Sequence, residues 1–237
     1  MTKNLSTENL PQLTETWLTS LNWQPRLAQQ AKFQQLYQEI LIGNQQLNLT
    51  RITQPLEFWE KHLWDSLAAI LQTEFSQQLP NNQNNNLAVI DIGTGAGFPG
   101  IPIAIVQPEW QVTLVDSTRK KIKFVNSLSQ KLQLINTKTI AARAETLGQT
   151  TMHRENYDLA LIRAVSLPSV CAEYTIPLLK IGGMVILYRG HWQTKDTQEL
   201  ESAVAKLGGK IELIKEISTP ISQSIRHCLY LRKISST

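Results

Sequence analysis

Apolar residues follow two rhythms along the chain. In the first third they recur at helical spacing. This holds from Trp17 to about Leu21 and from Pro25 to Ile42, with Leu27, Ala31, Leu36, Ile40 and Leu41 on one side and Gly43 as the expected stop. Pro55 is expected to open a helix running from Leu56 to about His62, and a further helix is expected from Asp65 to Leu79. Residues 1–16 are polar and expected to fray, and 80–86 form a low-complexity polar connector.

From residue 87 the rhythm changes. Short apolar runs at Leu87–Ile92, Gln111–Asp116, Thr137–Ala142, Tyr157–Ile162 and Met184–Tyr188 read as strands. Helical patterns lie between them, after the glycines at 93–100 and at Arg119–Leu132, Pro168–Leu179 and Lys195–Leu207. Gly182-Gly183 reads as a turn. Ile211–Ile217 and Ile225–Arg232 close the chain as two strands with only a turn between them. Alternating strands and helices imply right-handed crossovers and a parallel sheet. The missing last helix makes the final strand antiparallel. The expected fold is therefore α/β: a doubly wound, mostly parallel seven-stranded sheet. It follows an N-terminal helical extension, with 1–80 as the extension and 87–237 as the ligand-binding domain.

Composition narrows the class. With 42% hydrophobic residues in 237, a full core is available. The net charge of +4 permits a polyanionic partner without requiring one. Two distant cysteines, Cys171 and Cys228, make neither a disulfide framework nor a metal-ligand spacing, so no metal is expected. No apolar run is long enough to span a membrane, and no signal peptide is visible. A cytoplasmic, reduced protein without a membrane partner is expected.

The chemistry concentrates in Val89-Ile90-Asp91-Ile92-Gly93-Thr94-Gly95-Ala96-Gly97-Phe98-Pro99-Gly100, four glycines in eight residues directly after a buried strand. Glycine tolerates positive φ and lets a ligand approach where a Cβ would block it. Pro99 suits a first helical position. Gly95 to Gly100 also satisfies the dinucleotide fingerprint, which taken alone is weak. The fuller pattern Asp91-x-Gly93-x-Gly95-x-Gly97 resembles the first motif of S-adenosylmethionine (SAM) methyltransferases. There an acid lies near the charged methionine end of the cofactor, whereas it would repel a pyrophosphate.

Asp116 ends the second strand, 19 residues past Gly97, where an acid accepts bonds from ribose hydroxyls. Its competing role is to cap the next helix, a role Ser117 or Thr118 can also fill. Ala144-Glu145 falls where an adenine edge would lie, or is simply an exposed loop. Arg163 emerges from a buried strand and must find an acid or an anion. Arg119-Lys120-Lys121-x-Lys123 opens a helix, where cations oppose the helix dipole, so either a phosphate-facing role or a solvated face is open. Arg189, His191, Trp192, Arg226 and His227 lie on or after the last strands and are candidates to face a polyanionic partner, with Trp192 suited to stacking on a base if that partner is a nucleic acid. His62 and Asp65 read as a structural pair behind the cofactor loop.

Asn48-Leu49-Thr50-Arg51, Lys61-His62-x-x-Asp65-Ser66, Asp91 to Pro102, Leu114-Val115-Asp116-Ser117, Arg163-Ala164 and Arg226-His227 together resemble the ribosomal RNA small subunit methyltransferase G family, also called glucose-inhibited division protein B. The resemblance covers roughly residues 25–232. It implies N7-methylation of one guanosine in 16S rRNA, in free RNA or in the small ribosomal subunit, with SAM as donor. Its SAM contacts fall on Gly93, Phe98, Asp116, Ser117, Thr118, Ala144, Glu145 and Arg163. Arg189 stands where the family usually has lysine. With the motif residues Asp91, Gly95 and Gly97 these make the expected cofactor site, and Arg119, Lys120, Arg189 and Arg226 the expected substrate contacts.

No catalytic base is expected, because guanine N7 carries a lone pair and no proton. The sequence agrees, lacking both the Asn-Pro-Pro-Tyr type motif and the Pro-Cys nucleophile of other base methyltransferases. Two rival readings, an NAD-dependent oxidoreductase and a non-catalytic RNA-binding protein, differ from this one in cofactor and in turnover.

Overall fold

The computed structural model describes residues 9–72 and 86–237. The connector expected at 80–86, all but its last residue, and the last part of the helix expected to reach Leu79 lie outside them.

A seven-stranded sheet organises the chain. Its strands are β1 (Ala88–Ile92), β2 (Gln111–Asp116), β3 (Thr137–Ala141), β4 (Tyr157–Arg163), β5 (Leu179–Arg189), β6 (Gly209–Ser218) and β7 (Ile225–Lys233). The order is β3-β2-β1-β4-β5-β7-β6. The first five strands are parallel, and β7 inserts antiparallel between β5 and β6. Beyond β1 the order reverses direction, which opens a crevice at the carboxyl ends of β1 and β4.

Alternation along the strands feeds two cores. Val89, Leu114, Leu161, Ile186 and Tyr230 face one; Ile90, Val115, Ile162, Leu187 and Leu231 face the other. The first core is covered by α1 (Thr14–Leu21), α2 (Leu27–Leu47), α3 (Pro55–Phe58), a π-helical turn (Trp59–Trp64), α4 (Asp65–Leu71), α5 (Gly100–Val106) and α6 (Arg119–Lys131). The second is covered by α7 (Ala144–Leu147), α8 (Pro168–Thr175) and α9 (Thr194–Lys206). The Tyr188 and Tyr230 hydroxyls reach from the sheet to the Ser66 and Ala69 carbonyls of α4, so α4 is pinned as well as packed.

Several expectations shift. Pro55 does open a helix, but α3, the π turn and α4 run on without a break. Helix α1 starts at Thr14, inside the stretch expected to fray. Gly43 does not stop α2, which continues to Leu47. A Cβ there would lie 2.2 Å from the Phe124 ring of α6, so this glycine serves close helix packing. Gly182-Gly183 lies within β5, where Gly183 abuts the backbone carbonyls of Lys180, Tyr157 and Asp158 beside an irregular step in the β4–β5 register. Pro99 caps α5 rather than occupying its first turn, after a cis Phe98–Pro99 peptide.

The turn between β6 and β7 is held from the π turn. Glu60, 3% exposed, accepts the Ile221 and Ser222 N–H groups on Oε1 at 2.7 and 2.8 Å. Glu60→Ala should therefore lower stability by on the order of 3 kcal/mol, since two charge-assisted bonds vanish from a buried site. Denaturant unfolding measures this, and an unchanged midpoint would mean that the turn is tethered elsewhere.

Candidate functional site

The glycine stretch becomes a loop at the carboxyl end of β1. Gly93, Gly95 and Gly97 have φ of +71°, +59° and +103°, the region side chains avoid. A Cβ on Gly93 would lie 2.4 Å from the Val165 side chain, whereas one on Gly95 meets nothing nearer than the Gly93 carbonyl at 3.8 Å. Gly95 thus shows a bare backbone to open space, a cradle that any side chain would fill.

Two carboxylates shape this loop. Asp91 is fully buried, and its Oδ2 accepts the Thr94 hydroxyl at 2.7 Å and the Gly100 N–H at 2.9 Å. Its Oδ1 has no partner among the described residues, and burial pushes the carboxyl up to about 6. Asp116 accepts the Gly95 N–H on Oδ2 at 3.1 Å and the Thr118 N–H on Oδ1 at 2.8 Å. It therefore ties the glycine loop to the start of α6, where Thr118 is the capping position.

A cavity of about 230 Å³ lies outside β1, β2 and β3, walled by Gly93, Asp116, Ser117, Ala144, Glu145 and Val165 among others. Tyr174 walls the same cavity as Glu145. Five of the expected cofactor residues meet here. A larger cavity of about 560 Å³ opens across β4, β5 and β7, and its wall includes Lys61, Arg163, Tyr188, Arg189 and Arg226. The two are separated by the turn after β4: Ala164, at φ +56°, lines the larger cavity, and Val165 lines the smaller one.

Arg163 finds the acid that its burial demands. Its Nη1 donates to Asp65 Oδ2 at 3.0 Å and to the Lys61 carbonyl at 3.2 Å, and its guanidinium lies 5.7 Å from the Phe98 ring centre. Its Nη2 lies 3.5 Å from His62 Nδ1. Arginine only donates, so Nδ1 accepts and Nε2–H donates to Thr50 Oγ1 at 2.9 Å. His62 is held neutral at about 3, by burial first and then by the positive charges of Arg163 and Lys61. Its ring stacks on Phe98 at 4.3 Å and 9°, and Phe58 meets both rings edge-on. His62 and Asp65 do not bond to each other. They grip Arg163 and the loop from behind, through the π turn that carries His62.

The remaining expected residues scatter. Phe98 is buried in the aromatic stack and walls neither cavity. Arg119 and Lys120 are exposed at the start of α6, outside both cavities. Arg189 donates to the Ser166 carbonyl while lining the larger cavity. Trp192 packs against the second core, and its Nε1 donates to Thr197. Cys171 is buried in α8, its thiol pushed up by burial. Thr50, Phe58 and Val165 were not expected at the site. The motif Asn48-Leu49-Thr50-Arg51 was the available signal for Thr50, but only its contact with His62 gives it a role. Among the described residues no helix is long and apolar enough to cross a membrane, and no His, Cys, Asp and Glu cluster is built to hold a metal.

Comparisons with known proteins bear on the family and the fold. The family described as "GidB: rRNA small subunit methyltransferase G" matches residues 29–228. A protein of Trichormus variabilis named ribosomal RNA small subunit methyltransferase G is 58% identical over 231 residues, 98% of this chain and 93% of that protein. One of the same name from Microcystis aeruginosa is 54% identical over 224 residues, 94% and 99% of the two chains. Among solved structures, a 16S rRNA (adenine(1408)-N(1))-methyltransferase mutant from Catenulisporales acidiphilia superposes with a TM-score of 0.54 at 15% identity, over 64% of this chain and 86% of that one. A predicted O-methyltransferase from Agrobacterium tumefaciens gives 0.53 at 16% identity, over 67% and 78%. The fold is that of the class I SAM methyltransferases, as expected.

Proposed function

The chain belongs to the rRNA small subunit methyltransferase G family, and from that premise we propose that it transfers a methyl group from SAM to N7 of a guanosine in 16S rRNA. The observation that carries the reading is the pair of cavities on either side of the turn at Ala164 and Val165. One is bordered by the glycine loop and Asp116; the other is walled by cations. The comparisons lend no support to an oxidoreductase or to a non-catalytic RNA-binding protein.

The first cavity suits SAM. Asp116 and Glu145 in its wall are the acceptors we assign to the ribose and adenine; next to Gly93 of that wall, Gly95 offers bare backbone, and the unpartnered Oδ1 of the buried Asp91 is the acceptor we assign to the cationic end. When bound, SAM supplies a methyl group activated on a sulfonium. A guanine N7 would accept that methyl group on its lone pair, with no proton for this chain's residues to remove. No proton moves, so no side chain serves as a base, and positioning supplies the acceleration. Arg163 stays protonated and His62 stays neutral, both holding the loop rather than exchanging protons.

The anionic acceptor suits the larger cavity, with Arg189 and Arg226 in its wall and the exposed Arg119 and Lys120 as outlying phosphate contacts. Arg119→Ala with Lys120→Ala should weaken binding to small ribosomal subunits and reduce the salt slope by about one for each phosphate no longer neutralised. An unchanged affinity and slope would return these residues to a solvated face. The direct test mixes the protein, labelled SAM and small subunits from a strain lacking this gene, and identifies the modified base by mass spectrometry. A single 7-methylguanosine is expected; SAM binding without transfer to any guanosine would overturn the acceptor.

A further inference from the structure

One carboxylate joins the two walls of the larger cavity. Asp65 opens α4 immediately after the π turn, and its side chain is 13% exposed. Its Oδ2 accepts a hydrogen bond from Arg163 Nη1 at 3.0 Å, and its Oδ1 forms an ion pair with Arg226, 3.3 Å from Nε. The two arginines come from different strands, the end of β4 and the start of β7, so this bridge is made only in the folded sheet.

The two partners depend on Asp65 unequally. Arg163 keeps the Lys61 carbonyl, His62 and the Phe98 ring if Asp65 is lost. Apart from Asp65, the Arg226 side chain bonds only the neighbouring Ile225 carbonyl, through Nη1 at 3.0 Å, among the described residues. Lys61, Arg163, Arg189 and Arg226 all line the same cavity, so removing Asp65 also removes the negative charge that separates them.

The geometry points to Asp65 as a positioning residue for the acceptor nucleotide: its ion pair on the Nε side holds Arg226 in the cavity wall and leaves that arginine's other N–H groups for the phosphate or base oxygens of the RNA. A guanidinium held by one edge keeps a planar fork for an anion and loses less side-chain freedom when it binds. The inference rests on the methyltransferase reading and adds which residue prepares its acceptor site.

Three variants test it: Asp65→Asn, Arg226→Lys and the two combined, with small ribosomal subunits as acceptor. Lysine at 226 keeps the positive charge but has no Nε–H at the point that Asp65 holds. The expected result is a rise of about tenfold in KM for subunits in each single variant, with SAM affinity within twofold of the unchanged protein in Arg226→Lys, which leaves the Asp65–Arg163 bond in place. The combined variant should raise KM no further than Asp65→Asn alone, because both remove one interaction. The inference is overturned if Arg226→Lys behaves like the unchanged protein, if the two effects multiply, or if SAM affinity in Arg226→Lys falls in step with KM. Arg226→Lys decides the matter even if Asp65→Asn fails to fold. If the unchanged protein transfers no methyl group to subunits, the functional reading fails, and that failure is seen before any variant is made.

Discussion

Asp116→Ala should weaken SAM binding at least about 100-fold and leave the protein folded. Two losses combine. The Gly95 and Thr118 N–H groups lose their shared carboxylate, which loosens the loop at the residue with the barest backbone. The ribose hydroxyls would also lose the acceptor proposed for them. Bonds to a charged group contribute roughly 1.5–3 kcal/mol each, and about 2.7 kcal/mol is a factor of 100 in affinity. Gly95→Val should have an effect of similar size by another route, since a β-branched residue at φ +59° strains the loop and fills its open side. Calorimetric titration with SAM reads both. Normal binding in either variant would mean that the cofactor lies elsewhere, and normal binding in Asp116→Ala alone would reduce that residue to a cap for α6.

Much of this loop was readable in the sequence, for a physical reason. A buried strand, clustered glycines and an acid at a fixed offset are local consequences of bringing backbone close to a ligand, so they leave a local trace. The sheet was readable for the same reason, because strands buried on both faces read as apolar runs and a missing helix between β6 and β7 announces an antiparallel return. What escaped was set by partners distant in sequence. Gly43 looks like a helix stop until Phe124 is seen against it, and Gly182-Gly183 looks like a turn until three carbonyls crowd the second glycine. The π turn has no residue signature of its own, and the helical spacing around Pro55 and Asp65 suggested two separate helices. The stack of His62 on Phe98 joins residues 36 apart in sequence, and the Asp65 bridge joins residues from β4 and β7. Trp192 read as a candidate for base stacking because nothing in sequence places Thr197 under its indole N–H.

The Asp91 carboxyl should give SAM affinity a pH dependence that Asp91→Asn removes. Burial holds this group at about 6, against an ordinary value of 3.8, outweighing the Thr94 and Gly100 bonds and the nearby Arg163 charge that favour ionisation. Below about pH 4 the group is neutral in both folded and unfolded chains. Between about 4 and 6 the unfolded chain gives up its proton while the folded one keeps it, so stability falls as pH rises through that window. Above 6 the ionised, buried group costs on the order of 3 kcal/mol. Cationic atoms brought near the unpartnered Oδ1 favour the ionised form. SAM binding should therefore release a proton below pH 6, tighten as pH rises to about 6, and level off above it. In Asp91→Asn the amide oxygen can still take the Thr94 and Gly100 donors, but its N–H groups gain no partner, an offset of roughly 1–3 kcal/mol. The gain in stability at neutral pH is then small, and the clearer signal is the flattening of the unfolding profile between pH 4 and 6, together with SAM affinity that is about 100-fold weaker and no longer rises with pH. If the variant kept the slope of the unchanged protein, other carboxylates would own it. If SAM affinity in the unchanged protein were flat from pH 5 to 7, the cationic end of the cofactor would not lie against Asp91.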